Sequence, residues 1–214
     1  MLFGFDKIPL KIEKENEIPN WDLQKFNDPW PYVVIDNFFT TRVWDYIFNS
    51  FNVRKTKFEN FDTLQNNKVV YFENFHDKTI HNYFSYFINE DFLLKHFSTF
   101  RSYSELYSEN EVKFIKNSPE YKLHIDHERK VLSCVVYIAP KNNVGTILYD
   151  INKNYVKTIE WKPNRCFLFA PIDEVTWHSF KGNSNTARFT INYMLTRQSN
   201  STYNLRNGKD SVII

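Results

Sequence analysis

The second half of the chain is a succession of short apolar runs separated by turn residues. After residue 110, these runs predict strands near 111–116, 121–126, 131–138, 145–149, 155–160, 166–170, 175–180 and 187–196. Turn-forming stretches such as Asn117-Ser118-Pro119, Pro163-Asn164 and Lys181-Gly182-Asn183 lie between them. Short strands at this spacing predict a jelly roll or a β-sandwich, and this prediction constrains the fold more than any other feature.

The first half predicts fewer strands and several helices. Residues 31–40 (PYVVIDNFFT) read as a strand and a turn, and residues 68–74 (KVVYFEN) as another strand. A helix is expected from Thr40 or Thr41 to about Asn52, and apolar residues at helical spacing between 77 and 100 indicate two more. We expect these helices to cover one outer face of the jelly roll.

The length of 214 residues suits one domain, and no linker or repeat divides it. Within residues 1–110, we expect 1–30 to be an irregular lead-in segment and the remainder to supply helices that support the core. Residues 111–197 form the predicted jelly-roll core, and residues 198–214 a polar tail. The aromatic content of 18%, with only 4 Gly, agrees with a protein built mainly of strands.

Charge and cysteine usage limit the possible partners and location. The chain has 27 basic and 25 acidic residues, well mixed, so neither a nucleic-acid groove nor a membrane-binding patch is expected. No apolar run is long enough to span a bilayer, and the N-terminus lacks the pattern of a signal peptide. We therefore expect a cytoplasmic protein of a bacterial or phage-infected cell, with Cys134 and Cys166 as reduced core residues. The sequence leaves the oligomeric state open.

The stretch Leu-His-Ile-Asp-His at residues 123–127 carries the first sign of chemistry. On a strand His124 and Asp126 share one face, so they can chelate one divalent metal ion, whereas His127 points away. His178, in a later strand-like run, supplies a candidate third ligand. Two His and one carboxylate form the facial triad of non-haem Fe(II) oxygenases. His-x-Asp alone is a weak signal, and a surface strand with outward polar residues is the alternative.

A second polar stripe follows on the last predicted strand. Folding the chain about Asn183 would set His178 opposite Arg188, and alternation gives Arg188, Thr190 and Asn192 a common face. Burying such polar side chains inside a jelly roll costs free energy unless a ligand forms hydrogen bonds or ion pairs with them. Because guanidinium groups bind carboxylates bidentately, an anionic co-substrate is the predicted occupant. The alternative is that this face is exposed to solvent.

These residues together resemble the Fe(II)/2-oxoglutarate-dependent dioxygenases, and most closely the prolyl 4-hydroxylase-like group. The resemblance rests on His124-x-Asp126, on His178 about fifty residues later and on Arg188 ten residues beyond. It extends to four segments that are similar to strands of that group: PYVVIDNFFT (31–40), SCVVYIAP (133–140), GTILYD (145–150) and WKPNRCFLFAP (161–171). In all it covers roughly residues 31–197.

The resemblance implies a mainly β fold with supporting helices, a double-stranded β-helix (jelly roll). It implies that His124, Asp126 and His178 hold Fe(II) as the catalytic centre, with O2 and 2-oxoglutarate as co-substrates. The distal carboxylate of 2-oxoglutarate would bind Arg188. Tyr137 aligns with a tyrosine that bonds the same carboxylate, although an ordinary core aromatic is an equal alternative. Thr190 and Asn192 would also line the co-substrate site.

The reaction implied is hydroxylation of an unactivated C–H bond, first of all in a peptidyl proline. A free amino acid or another small metabolite is the alternative substrate, and a nucleobase fits the balanced charge poorly. Segments that border the substrate entrance in the family are short here, both before His124 and after Asp126, and Gly145-Thr146 stands where relatives have two glycines. A cupin, a zinc hydrolase and a catalytically silent jelly-roll binding module are the other classes considered.

Overall fold

The computed structural model describes residues 10–49, 69–74, 78–97, 106–116, 121–181, 188–197 and 212–213. Within these ranges the helices are α1 (41–49), α2 (Lys78–Phe87) and α3 (Glu90–His96). The strands are β1 (Asp22–Phe26), β2 (Tyr32–Asp36), β3 (Val69–Asn74), β4 (Tyr107–Lys116), β5 (Tyr121–His124), β6 (Lys130–Ala139), β7 (Thr146–Tyr149), β8 (Tyr155–Ile159), β9 (Cys166–Phe169), β10 (His178–Phe180), β11 (Arg188–Thr196) and β12 (Val212–Ile213).

Two antiparallel sheets form the core. The larger has the order β1-β2-β9-β6-β11-β4-β12, with β3 also paired to β4, and the smaller has the order β5-β10-β7-β8. From β4 to β11 the chain passes back and forth between the sheets: β4, β6, β9 and β11 belong to the larger, and β5, β7, β8 and β10 to the smaller. This alternation makes the core a double-stranded β-helix, so the predicted jelly-roll fold is confirmed.

Alternation along β11 separates the two faces of the larger sheet. Ile191, Tyr193 and Leu195 lie on one face and belong to a buried apolar cluster that also contains residues of all three helices. In this cluster the ring of Phe84 in α2 stacks on that of Tyr193, with centroids 4.4 Å apart. The opposite face carries Arg188, Thr190 and Asn192 toward the smaller sheet. The helices thus cover one face of the larger sheet, and the other is left for the polar stripe.

The predicted core strands all occur, with shorter bounds for some. The run predicted over 121–126 ends as a strand at His124, and that predicted over 175–180 begins only at His178. The expectation of an irregular segment over 1–30 is wrong for 22–26, which form β1 and pair along their full length with β2. The sequence DLQKF lacks a β-branched residue, so its strand depends on pairing with the buried β2.

The hairpin predicted between His178 and Arg188 is also wrong. β10 pairs with β5 and β7, whereas β11 pairs with β4 and β6 in the other sheet. A connection that changes sheets cannot form a ladder between the strands it joins. The turn residues 182–187 themselves, the end of the first predicted helix beyond 49, and the tail over 198–211 lie outside the described residues.

Two further expectations can be compared with the structure. Cys134 and Cys166 are buried free thiols in β6 and β9, as predicted. In the described part of the chain, no helix has both the length and the apolar character needed to cross a bilayer.

Gly145 precedes β7 where the backbone passes very close to the end of β8. A Cβ atom placed at Gly145 would lie 1.6 Å from the carbonyl oxygen of Ile159. We expect Gly145→Ala to lower the free energy of unfolding by about 3 kcal/mol, because backbone must shift to relieve the clash. Urea denaturation followed by circular dichroism measures this, with the exposed Lys141→Ala as the control expected to change stability by less than about 0.5 kcal/mol. Equal stability of both variants would contradict the close approach.

Candidate metal centre

His124, Asp126 and His178 meet where β5 and β10 pair. His124 is the last residue of β5 and His178 the first of β10, and the two are direct partners in the antiparallel register. Asp126 follows two residues after β5 ends. One ligand atom from each of the three side chains lies within 4.8 Å of the others, and the two imidazole centroids are 4.3 Å apart. The pairing of two short strands therefore assembles the predicted triad.

Hydrogen bonds to the backbone fix both imidazoles in one tautomer. Nδ1 of His124 lies 2.9 Å from the carbonyl oxygen of Lys122, and Nδ1 of His178 lies 3.0 Å from that of Thr176. A carbonyl oxygen only accepts, so each Nδ1 carries the proton and donates it. Each Nε2 is left with its lone pair, which is the arrangement that metal-binding histidines commonly have.

Both imidazoles are held neutral. Burial, with a smaller effect of the neighbouring His178, lowers the pKa of His124 to about 4. Burial also lowers the pKa of His178, although the Asp126 carboxylate opposes this. Neutral rings at physiological pH can donate their lone pairs to a metal ion without first losing a proton.

Asp126 is kept ionised by two residues at the start of β6. Lys130 Nζ lies 2.9 Å from Oδ1, and the Ser133 hydroxyl donates to Oδ2 at 2.5 Å. Burial acts to raise the pKa of Asp126, but the positive charge of Lys130 and these hydrogen bonds outweigh it and hold the pKa below its usual range. The carboxylate is therefore both charged and fixed in orientation.

The triad opens onto a cavity of about 280 Å³ between the two sheets. Arg188, the first residue of β11, lines the same cavity and is only 2% exposed. Its guanidinium carbon lies 4.4 Å from the ring centroid of Phe180, 5.1 Å from that of Trp161 and 5.5 Å from that of Tyr137. The triad and Arg188 thus line one cavity, as predicted. They are brought together by the pairing of β10 with β5 and of β11 with β4 and β6, and not by the predicted hairpin.

Arg188 has no acidic partner among the described residues. Its guanidinium donates a hydrogen bond to the carbonyl oxygen of Val144, at 3.3 Å. Burial lowers the pKa of Arg188 to about 10, so the group remains charged at neutral pH. A buried cation surrounded by aromatic rings is costly without an anion, and the cavity beside it is where an anionic ligand can enter.

The donor set fits a divalent transition metal. Two neutral imidazoles, each with its Nε2 lone pair available, and one oriented carboxylate lie close together in the lining of the cavity. Three protein ligands with coordination positions left open are typical of a catalytic metal site rather than a closed structural one. Two His and one carboxylate are the ligands used by non-haem Fe(II) oxygenases.

Comparison with solved structures identifies the fold. The structure is similar to that of a viral collagen prolyl hydroxylase from Paramecium bursaria Chlorella virus-1, with a TM-score of 0.54 and 13% identity over 81% of this chain and 99% of that one. It is likewise similar to a prolyl-4-hydroxylase of Pseudomonas putida (TM-score 0.54, 10% identity, 78% and 93% covered). The chain has the fold of the prolyl hydroxylases.

A third solved structure extends this likeness. A prolyl hydroxylase of Trichoplax adhaerens, in complex with a hypoxia inducible factor peptide fragment, has a TM-score of 0.56 and 15% identity over 78% of this chain and 83% of that one. No protein-family model and no curated protein sequence matches the chain. The prolyl-hydroxylase fold is therefore recognised through three-dimensional structure and the few residues of the site.

The other predicted co-substrate residues lie around Arg188 in different ways. Thr190 and Asn192 line the cavity, and the Thr190 hydroxyl donates to the Asn192 side-chain oxygen at 3.2 Å. Tyr137 is buried behind Arg188, where its hydroxyl donates to Thr146 Oγ1 at 2.8 Å and accepts from the Thr146 amide. In this arrangement Tyr137 supports the guanidinium through its ring. A direct contact of its hydroxyl with a co-substrate stays a prediction.

Several residues of the site were not predicted from the sequence. Lys130 and Ser133, which hold Asp126, were not predicted as its partners. The aromatic wall formed by Tyr121 and Phe180 and the cavity-lining Lys113 were not predicted either. For Lys130 a signal existed, because it lies four residues after Asp126 across a short loop. His127, which was predicted to point away from the metal, is exposed and lies at the edge of the cavity.

The matched pair His178→Ala and His127→Ala tests the metal centre. We expect His178→Ala to weaken Co(II) or Mn(II) binding by more than about 100-fold, because it removes one of three ligands. His127→Ala should retain the affinity of the unmodified chain, since this imidazole lies at the rim. Calorimetric titration of the metal-free protein measures both. Equal affinities in the two variants would contradict the assignment of His178 as a ligand.

Proposed function

We propose that this chain is a non-haem Fe(II)- and 2-oxoglutarate-dependent dioxygenase that hydroxylates an unactivated C–H bond. The observation that carries the proposal is the juxtaposition of the His124-Asp126-His178 triad with Arg188 in a single cavity. A metal site with open positions and, in the same space, a buried cation that has no carboxylate partner in the described part of the chain together suit a ligand that is both a chelator and an anion. 2-Oxoglutarate has both properties.

Each residue has a defined part in this proposal. His124, Asp126 and His178 hold the iron, and Lys130 and Ser133 keep the Asp126 carboxylate ionised and oriented. Arg188 binds the distal carboxylate of 2-oxoglutarate and so orients its other end toward the triad. When bound, Fe(II) together with 2-oxoglutarate supplies the O2 activation that a protein side chain cannot.

A peptidyl proline is the proposed substrate. The support is the likeness to three prolyl hydroxylases, one of which was solved with a peptide fragment. A free amino acid or another small metabolite is the alternative substrate.

The buried thiols of Cys134 and Cys166 accord with the reducing environment that we propose, the cytoplasm. The same environment keeps iron in its ferrous state. The balanced charge of the chain also supports a peptide or small molecule as the partner, without nucleic acid or membrane.

Other classes of protein agree less well with the site. A cupin commonly uses His-x-His and a later Glu, and the chain has no His-x-His. A zinc hydrolase could use two His and one Asp, but it gives no reason for a buried Arg188 beside the metal. A catalytically silent binding module needs neither neutral imidazoles nor open metal positions. Turnover separates this last class from the enzyme.

Arg188→Met tests the role of the buried guanidinium. We expect the variant to bind 2-oxoglutarate about 100-fold more weakly in the Mn(II)-loaded protein, because a buried charge pair is lost. Its affinity for Mn(II) and for 2-oxopentanoate, which lacks the distal carboxylate, should be unchanged. Arg188→Lys, which keeps a positive charge, is the matched control and should fall between the two. If Arg188→Met prefers 2-oxoglutarate over 2-oxopentanoate as strongly as the unmodified chain does, Arg188 does not bind the distal carboxylate.

Turnover is tested by substrate-stimulated succinate release. Proline-containing peptides, free amino acids and small metabolites are incubated with Fe(II), 2-oxoglutarate and O2, and the substrate is examined by mass spectrometry for the gain of one oxygen atom. We expect release with a proline peptide, and its abolition in His124→Ala because a metal ligand is missing. Release at an undiminished rate in His124→Ala would show that the triad is not the catalytic centre.

A further inference from the structure

Thr146 lines the cavity at the end where the Arg188 guanidinium lies. It is the first residue of β7 and stands directly opposite Phe180 of β10, so the two side chains share the inner face of the smaller sheet. The guanidinium carbon lies 4.4 Å from the centroid of the Phe180 ring, and the guanidinium donates to the carbonyl oxygen of Val144, two residues before Thr146. A ligand group that reaches Arg188 therefore also lies close to Thr146.

Two hydrogen bonds with Tyr137 fix the role of the Thr146 hydroxyl. The Tyr137 hydroxyl accepts from the Thr146 amide at 3.0 Å and donates to Thr146 Oγ1 at 2.8 Å. Burial raises the pKa of Tyr137, so the phenol keeps the proton that it donates. Because Oγ1 accepts this hydrogen, the hydrogen of the Thr146 hydroxyl itself points elsewhere. No group in the described part of the chain accepts it.

The surroundings of Thr146 leave a ligand as the acceptor for this hydrogen. The Thr146 side chain is only 4% exposed, and a buried hydroxyl donor without an acceptor costs free energy. Phe180 is apolar, the guanidinium of Arg188 only donates, and the Val144 carbonyl oxygen accepts from Arg188. A carboxylate only accepts, so it can take a hydrogen bond from Arg188 on one oxygen and from Thr146 on the other.

We propose that Thr146 binds the distal carboxylate of 2-oxoglutarate together with Arg188, and that Tyr137 acts through Thr146 by directing its hydroxyl. This inference rests on the proposed function. It differs from the predicted direct contact between Tyr137 and the carboxylate, because the hydroxyl hydrogen of Tyr137 is already donated to Thr146. Tyr137 is then a positioning residue, and the co-substrate contacts the threonine.

Thr146→Val tests the contact, since valine has nearly the shape of threonine without the hydroxyl. In Mn(II)-loaded protein, we expect calorimetric titration to show about tenfold weaker binding of 2-oxoglutarate, the loss typical of a hydrogen bond to a charged group. Affinity for 2-oxopentanoate, which lacks the distal carboxylate, should be unchanged. Thr146→Ser, which keeps the hydroxyl, should retain most of the affinity for 2-oxoglutarate.

Thr158→Val is the matched control for this substitution. Thr158 is exposed on the adjacent strand β8, so the same change of side chain should leave both affinities unaltered. If Thr146→Val prefers 2-oxoglutarate over 2-oxopentanoate as strongly as the unmodified chain does, the inference is overturned. If the unmodified chain shows no metal-dependent binding of 2-oxoglutarate, it is the proposed function that fails.

A double-mutant cycle with Tyr137→Phe tests the action of Tyr137 through Thr146. In the otherwise unmodified chain, we expect Tyr137→Phe to weaken 2-oxoglutarate binding about threefold, because the Thr146 hydroxyl loses the hydrogen bond that directs it. In the Thr146→Val background, the same substitution should not change the preference for 2-oxoglutarate over 2-oxopentanoate any further. An equal loss in both backgrounds, or no loss in either, would overturn the positioning role of Tyr137.

Discussion

The antiparallel pairing of β5 with β10 is the interaction on which the site depends. It places His124 opposite His178, and it brings the stacked rings of Tyr121 and Phe180 together one step further along the same two strands. These strands have only four and three residues, so their own hydrogen bonds give little stability. They are held by the jelly roll around them, in which β10 also pairs with β7 and the larger sheet closes the opposite side of the cavity. The metal centre is therefore a product of the whole double-stranded β-helix.

The larger sheet has two different faces, and this difference explains why one can carry chemistry. Its outer face packs against the helices through a continuous apolar cluster. Its inner face carries the polar stripe of Lys113, Arg188, Thr190 and Asn192 in a partly desolvated space. Aromatic rings of Tyr137, Trp161 and Phe180 surround the guanidinium and compensate part of the cost of burying it. An anionic ligand would offset the rest of the free-energy cost of burying the guanidinium.

Local patterns in the sequence were sufficient to predict the core strands and the pair His124 and Asp126, whereas His178 was joined to this pair through the family resemblance. Strands are specified by short runs and turn residues, and His124 and Asp126 are close in sequence, so their proximity needs no knowledge of the tertiary structure. Arg188 was assigned to the right cavity through a wrong intermediate, the hairpin with His178. Its true neighbours are Ile115 on β4 and the rings of Phe180, Trp161 and Tyr137, which reach it from distant parts of the chain.

Residues defined by pairing between distant strands could not be predicted in this way. Lys113 reads as an ordinary solvent-facing lysine of an alternating strand until the register of β4 against β11 is known. β1 was overlooked because its sequence has no strand preference of its own.

The most direct measurement of the central claim is the visible absorption spectrum of anaerobic Fe(II)-loaded protein titrated with 2-oxoglutarate. Bidentate chelation of the 2-oxo acid to Fe(II) in this site predicts a metal-to-ligand charge-transfer band. The band should saturate at one 2-oxoglutarate per chain and should be absent in His178→Ala. A spectrum without such a band, or a band that persists unchanged in His178→Ala, would contradict the claim that the triad and Arg188 form one site for iron and 2-oxoglutarate.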